Sequence, residues 1–197
     1  AVVFQGDISS YEVCQKMVQA GIDAFGDRIA VLINNAGVTN HLRFEELTHE
    51  QYERLIGIEL MGSMHCTHIV LPYMQKVKEG CIIFTSSVAG LFGQANEPDY
   101  TAAKAGMHGF ARALARENAE NNIRINCIAP GLIWTDIFNG APQELIDANV
   151  ATIPMKRFGE IEDITDKGYY TNSYHVDVRE EIDAFAKLDF ETGFQKI

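Results

Sequence analysis

Val31-Leu32-Ile33-Asn34-Asn35-Ala36-Gly37 is the stretch that decides the architecture. Three consecutive aliphatic residues that give way to amide and small side chains describe a strand buried on both faces and running into a tight turn. Strands of that kind belong to parallel sheets. Outward from it the pattern recurs at Cys81 to Thr85, closed by Ser86-Ser87, and at Ile123 to Ile128, closed by Ala129-Pro130-Gly131. Helical periodicity fills the intervals. Ser9 and Glu12 have capping-box spacing before a helix with apolar Tyr11, Cys14, Val18, Ile22 and Phe25. Thr48 and Gln51 open a second, longer helix that runs to Lys76 with a bend expected at Pro72, and a third runs from Tyr100 to Asn118. Ala1-Val2-Val3-Phe4-Gln5 reads as one more short strand. Strictly alternating strands and helices predict an α/β fold, a doubly wound parallel sheet with helices on both faces and ligands at the carboxyl ends of its strands.

Composition narrows the function classes. The 197 residues are 47% hydrophobic, enough for a core without covalent staples, and no apolar run of membrane-spanning length or signal-peptide pattern is evident. A soluble cytoplasmic protein is the expectation. Cys14, Cys66, Cys81 and Cys127 are widely spaced within predicted helices and strands, as small core residues of a reducing compartment are. His65 and His68 lack a third ligand, so no metal site is expected. A formal net charge of -11 argues against nucleic acid as a partner, because a phosphate backbone repels an acidic surface.

The chemistry is carried by Ser87, Tyr100 and Lys104. Tyr100 and Lys104 are four residues apart in Tyr-Thr-Ala-Ala-Lys, and that step places both on one helix face. A free phenol ionises near pH ~10, and an ammonium beside it is expected to lower that value and make the phenol a usable acid or base. Ser87, at the end of a strand, would hydrogen-bond a substrate oxygen. The trio suits reversible carbonyl reduction, in which an oxygen gains or loses a proton as carbon exchanges hydride.

Taken in order, Asn34-Asn35-Ala36-Gly37, Ser86-Ser87, Tyr100 with Lys104, and Asn126-Cys127-Ile128-Ala129-Pro130-Gly131 resemble the short-chain dehydrogenase/reductase family over residues 1–164. The resemblance implies a Rossmann-like fold and NAD or NADP as cofactor, with a small-molecule secondary alcohol or ketone as substrate. Tyr100 would be the acid/base and Ser87 would orient the substrate oxygen. Lys104 would hold the nicotinamide ribose and lower the tyrosine pKa. Asp7 and Ile8 would meet the adenine, Asn34, Asn35, Ala36 and Gly37 the adenosine half, and Pro130, Gly131, Ile133 and Thr135 the nicotinamide. A homodimer or homotetramer through the two long helices is implied as well. The loop 91–99 and the segment 134–152, with Phe92, Trp134, Ile137 and Phe138, would give the pocket an apolar lining.

Three departures qualify that expectation. Glu59 stands where many members carry an asparagine that holds a water in the proton relay. No glycine-rich phosphate turn precedes Asn34, so about fifty residues of the family pattern have no counterpart. With that segment go the pyrophosphate site and the residue that separates NAD from NADP, which implies weak dinucleotide binding, exposed strand edges and marginal stability for this chain. The sheet is therefore expected to be incomplete at the N-terminus and at its last strand. Residues 165–197, with Tyr169, Tyr170, Tyr174 and His175, form an acidic tail that resembles a segment of anaerobic ribonucleoside-triphosphate reductases. The functional alternatives are an NAD(P)-dependent oxidoreductase, or a fragment of one, and a non-catalytic pseudo-enzyme or dimerisation subunit.

Overall fold

A computed structural model describes residues 1–165, apart from the Ile137 and Thr165 side chains; the predicted tail lies outside the described residues. Three parallel strands, β1 (Val31–Asn34), β2 (Gly80–Thr85) and β3 (Ile123–Ile128), pair in that order. The register sets Asn34 level with Phe84 and Phe84 level with Cys127. Their carboxyl ends therefore emerge together, and the segments that follow Asn34, Thr85 and Ile128 face one another. The predicted strand at residues 1–5 does not form. Among the described residues β1 pairs only with β2, so residues 1–5 have no strand beside them to bond to.

α1 (Tyr11–Phe25) starts one residue later than the capping-box reading implies. The Ser9 amide donates to the Asp7 carboxylate at 3.0 Å, which leaves Ser10 to cap the helix by accepting from the Val13 amide. The Thr48 and Gln51 box is formed as expected at the start of α2 (His49–Ile56). α2 continues through a π-helical turn (Gly57–Gly62) into α3 (Ser63–Val77), and this turn is the irregular point of the long helix. Pro72 lies inside α3, which runs on through it to Val77. One extra residue in a turn rotates the following side chains, so that Ile58 and Glu59 are buried side by side. The Ser63 hydroxyl donates to the Glu59 carbonyl at 2.8 Å within the widened turn.

The core lies on one face of the sheet. Ile82 and Phe84 of β2 and Ile123 and Ile125 of β3 pack with Val70 and Met74 of α3 and with Met107 and Ala111 of α5 (Pro98–Asn118). Phe110 meets Phe84 edge-on at 5.7 Å. Burial of such side chains is worth roughly 1.5–3 kcal/mol each. The 29-residue helical run His49–Val77 is long and apolar enough by composition to cross a membrane, which the sequence reading did not register. Here its Leu55, Ile58, Cys66, Val70 and Met74 are buried against the rest of the chain. The opposite sheet face, carrying Ile33, Ile83, Thr85 and Ile128, lines a cleft.

A short helix α4 (Ala89–Phe92) follows Ser87 and lies directly on α5. Gly90 makes that approach possible, since a Cβ there would sit 2.7 Å from the Lys104 carbonyl carbon and 2.8 Å from the Ala105 nitrogen. Gly90→Ala is therefore expected to lower stability by about 1–3 kcal/mol in denaturant unfolding, because rigid backbone must move. An unchanged midpoint would contradict this close packing. The chain continues from β3 through α6 (Gln143–Thr152) to α7 (Ile161–Thr165).

Candidate active site

The cleft has a volume of about 760 Å³ and opens at the carboxyl ends of the strands. Each strand sends a segment into it. β1 contributes Asn35, Gly37, Val38 and Thr39; β2 contributes Ser86 and Ser87; β3 is followed by Pro130, Gly131, Ile133 and Thr135. Tyr100 and Lys104 reach it from the first turns of α5, and Ile161 and Ile164 of α7 close its far side.

Ser87 and Tyr100 meet inside this space. The Ser87 oxygen accepts from the Ala89 amide at 3.1 Å, which leaves the hydroxyl hydrogen to donate to the Tyr100 phenol, and that hydrogen bond favours the ionised phenol. Burial works the other way and dominates, pushing the Tyr100 phenol above its ordinary value; the carboxylates of Glu59 and Glu97 add to the rise. The expectation that Lys104 lowers this value is not met. Its ammonium lies 5.3 Å from the centre of the Tyr100 ring, close enough to act, but it sits 2.7 Å from Glu59 Oε2 and donates to the Thr85 carbonyl at 2.7 Å. Both members of the ion pair are almost wholly buried, Lys104 at 5% and Glu59 at 0% side-chain exposure. An opposite charge held at contact distance cancels most of the field that the ammonium would exert on the phenol.

Glu59 is tied at its other oxygen as well. Oε1 accepts from the Val38 amide at 2.7 Å, and the carboxylate occupies the space beside Gly37, where an added Cβ would lie 2.5 Å from Oε1. Thr39 donates to Glu97 Oε1 at 2.9 Å, His41 Nδ1 lies 2.8 Å from the same oxygen, and Asn40 donates to Asp99 at 2.9 Å. Residues 38–41 are thus stitched to the π turn and to the start of α5. Asp99, in the first turn of α5, also accepts from the Tyr100 amide at 2.9 Å, and a carboxylate there is favoured by the helix dipole. Behind Lys104, the Ser86 hydroxyl donates to the Lys104 carbonyl at 3.0 Å and lies 2.9 Å from His108 Nε2. A hydroxyl has one hydrogen, so His108 donates from Nε2, and burial lowers its pKa and keeps the ring neutral.

Of the residues singled out from sequence, Ser87, Tyr100, Lys104, Asn35, Gly37, Pro130, Gly131, Ile133 and Thr135 line this one cleft. Asn34, Ala36, Asp7 and Ile8 do not. Asn34 is buried and donates to Thr67 at 3.1 Å, which ties the end of β1 to α3. Asp7 is exposed on the turn before α1, where the amide hydrogen bond from Ser9 lowers its carboxyl pKa; Ile8 packs on Gly62. Phe138 lines the cleft and stacks on Trp134, which is half exposed, whereas Phe92 points to solvent at 83% exposure. Thr39 and Asn40 were not anticipated, and Glu97 and Asp99 only as part of the loop 91–99. The signal present for them was a pair of acidic residues flanking Pro98 at the start of a helix.

A parallel α/β sheet with a serine, a tyrosine and a lysine converging at the strand ends defines an α/β protein whose ligand site lies at the carboxyl ends of its strands, and comparison with known proteins narrows the class. The family model for short chain dehydrogenases matches residues 1–145, and a second model, for anaerobic ribonucleoside-triphosphate reductase, matches residues 137–197. The chain is 37% identical over 153 residues to the 3-oxoacyl-(acyl-carrier-protein) reductase of Thermotoga maritima, covering 78% of this chain and 60% of that protein. It is 39% identical over 162 residues to nodulation protein G of Azospirillum brasilense, covering 82% and 65%. With the acetoacetyl-CoA reductase of Shinella zoogloeoides it shares 37% identity over 163 residues, covering 82% and 67%. The chain belongs to the short chain dehydrogenase family. It spans roughly three fifths to two thirds of the length of these curated relatives.

Proposed function

We propose that the cleft performs NAD(P)-dependent hydride transfer between a ketone and a secondary alcohol, working chiefly as a ketone reductase. The observation that carries the reading is the convergence of the Ser87 hydroxyl and the Tyr100 phenol on one cleft, with the Lys104 amine beside them. A nicotinamide cofactor, when bound, supplies or accepts the hydride. The residues present fit such a group: Pro130, Gly131, Ile133 and Thr135 offer an apolar wall for a ring, and the ammonium of Lys104, which donates to the Thr85 carbonyl and lies 2.7 Å from Glu59 Oε2, has three donors. A donor left over can meet a ribose hydroxyl. The Ser87 hydroxyl orients the carbonyl oxygen, and the Tyr100 phenol gives that oxygen its proton.

The names of two relatives point to a 3-oxoacyl thioester as the ketone. The apolar side chains Leu132, Ile133, Phe138, Ile161 and Ile164 around the cleft suit an acyl chain. Assembly through α2, α3 and α5, and a cytoplasmic location, belong to the same reading, as does a division of the chain at residue 164 between this domain and a tail of different origin. The test is oxidation of NADPH or NADH, at millimolar cofactor, by a 3-oxoacyl thioester. Consumption of the reduced cofactor with formation of the 3-hydroxy product is expected; no product with either cofactor sinks the proposal.

The direction of the Tyr100 shift fixes the pH dependence. A proton donor must start protonated, and a phenol whose value lies above ~10 is protonated throughout the neutral range. Reduction is therefore expected to hold its rate across neutral pH and to decline only in strong alkali. Alcohol oxidation needs the phenolate and is expected to rise with pH over the same range. Rate profiles in both directions check this; a reduction rate that already falls with rising pH below ~8 would contradict it.

A further inference from the structure

The reading of Tyr100 as the acid leaves open what the buried Glu59 does. Glu59 is the only carboxylate among the described residues that is fully buried at 0% exposure, and nothing in folding the sheet requires a charge there. Its placement is built: a π turn brings it inward, the Val38 amide fixes one oxygen, the Lys104 ammonium lies against the other, and the absence of a side chain at Gly37 makes the room. We propose that Glu59 is the positioning residue of the site, holding the Lys104 ammonium against the Thr85 carbonyl while keeping its charge from the Tyr100 phenol, so that the cleft is set for proton donation rather than proton removal. The proposal rests on Tyr100 being the proton donor, and it assigns to a carboxylate the setting of the phenol's protonation state at neutral pH.

The charged groups that face Tyr100 support this sign. Glu59 approaches from the π turn, Glu97 and Asp99 from the start of α5, and Lys104 from one turn further along; His41, on the loop after β1, is occupied with Glu97. The segment 130–138 and α7 line the cleft with no titratable side chain among the described residues. Two carboxylates, those of Glu59 and Glu97, therefore act on the phenol against one ammonium, and that of Glu59 is in contact with the ammonium. With Glu59 made neutral, the ammonium would act on the ring through a largely dry interior, and an unscreened opposite charge at this range lowers a pKa by about 1–3 units.

The experiment is a titration of the Tyr100 phenol by ultraviolet difference absorbance, which needs no turnover and so stands whether or not a substrate is found. Seven tyrosines contribute, so the Tyr100 signal is isolated by subtracting the titration of Y100F from that of the wild type, and of E59Q/Y100F from that of E59Q. In the wild type the midpoint is expected above the ordinary value near ~10. In E59Q it is expected to fall by about 1 unit or more, while E59D, which keeps the charge, stays near the wild-type value. An E59Q midpoint equal to or above that of the wild type overturns the proposal. Should E59Q fail to fold, the wild-type arm decides: a midpoint clearly below ~10 shows the ammonium acting unscreened and overturns it equally. If Y100F abolishes turnover but E59Q does not move the midpoint, the role of Glu59 falls and the assignment of Tyr100 survives.

Discussion

Tyr100→Phe is expected to cut ketone reduction by about a hundred- to ten-thousandfold while leaving nicotinamide cofactor affinity within about twofold. The change deletes one oxygen. The ring stays, and with it the packing at the start of α5 and the surface under the Lys104 ammonium. What is lost is the proton donor, and Ser87, whose hydroxyl hydrogen-bonds the phenol, cannot replace it because a serine hydroxyl is a far weaker acid. The measurement is kcat from cofactor absorbance together with Kd from cofactor fluorescence. Loss of affinity in step with loss of turnover would make Tyr100 a cofactor contact and not the acid.

Lys104→Met is expected to give the largest stability change in the domain. Methionine matches the length of the lysine stem, so little packing is lost, but the Glu59 carboxylate is left at 0% exposure with no cation beside it. Removing one partner of a buried pair costs about 3–5 kcal/mol, which corresponds to a fall in Tm of roughly 6 to 20 °C for a chain of this size. The double variant E59Q/K104M removes both charges and should regain most of that loss, because a neutral amide at position 59 can still accept from the Val38 amide. Melting curves of the two variants check the coupling. A K104M protein as stable as the wild type, or a double variant no better than K104M, would show that the pair is not held as described.

These effects turn on an interaction the sequence did not expose. The four-residue step of Tyr100 and Lys104 was readable because helix geometry is local, and so was the emergence of Asn35, Ser87 and Pro130 at one end of the sheet, because parallel strands must point the same way. The position of Glu59 could be aligned but its partner could not be read, because the ion pair closes across α5 and a π turn that no periodicity announces. Residues 1–5 show the complementary limit: their apolar, β-branched character suits a strand, but a strand needs a neighbour to accept its hydrogen bonds, and local sequence does not supply one.

The inverted sign at Tyr100 follows from the same cause. From spacing alone, an amine near a phenol lowers its pKa. In the folded chain the amine is spent on Glu59 and the Thr85 carbonyl, burial takes over, and the phenol is left a stronger proton holder.

Transfer of isotope tests the central claim most directly. The protein is incubated with NADPH and, separately, NADH, each carrying deuterium at the transferable nicotinamide position, together with a 3-oxoacyl thioester, and the 3-hydroxy product is weighed by mass spectrometry. Product with one deuterium on the carbinol carbon is expected from the wild type, and at least about a hundredfold less of it in the same time from Y100F. Unlabelled product, or labelled product formed equally fast by the wild type and Y100F, would contradict a cleft in which Tyr100 completes hydride transfer to a ketone.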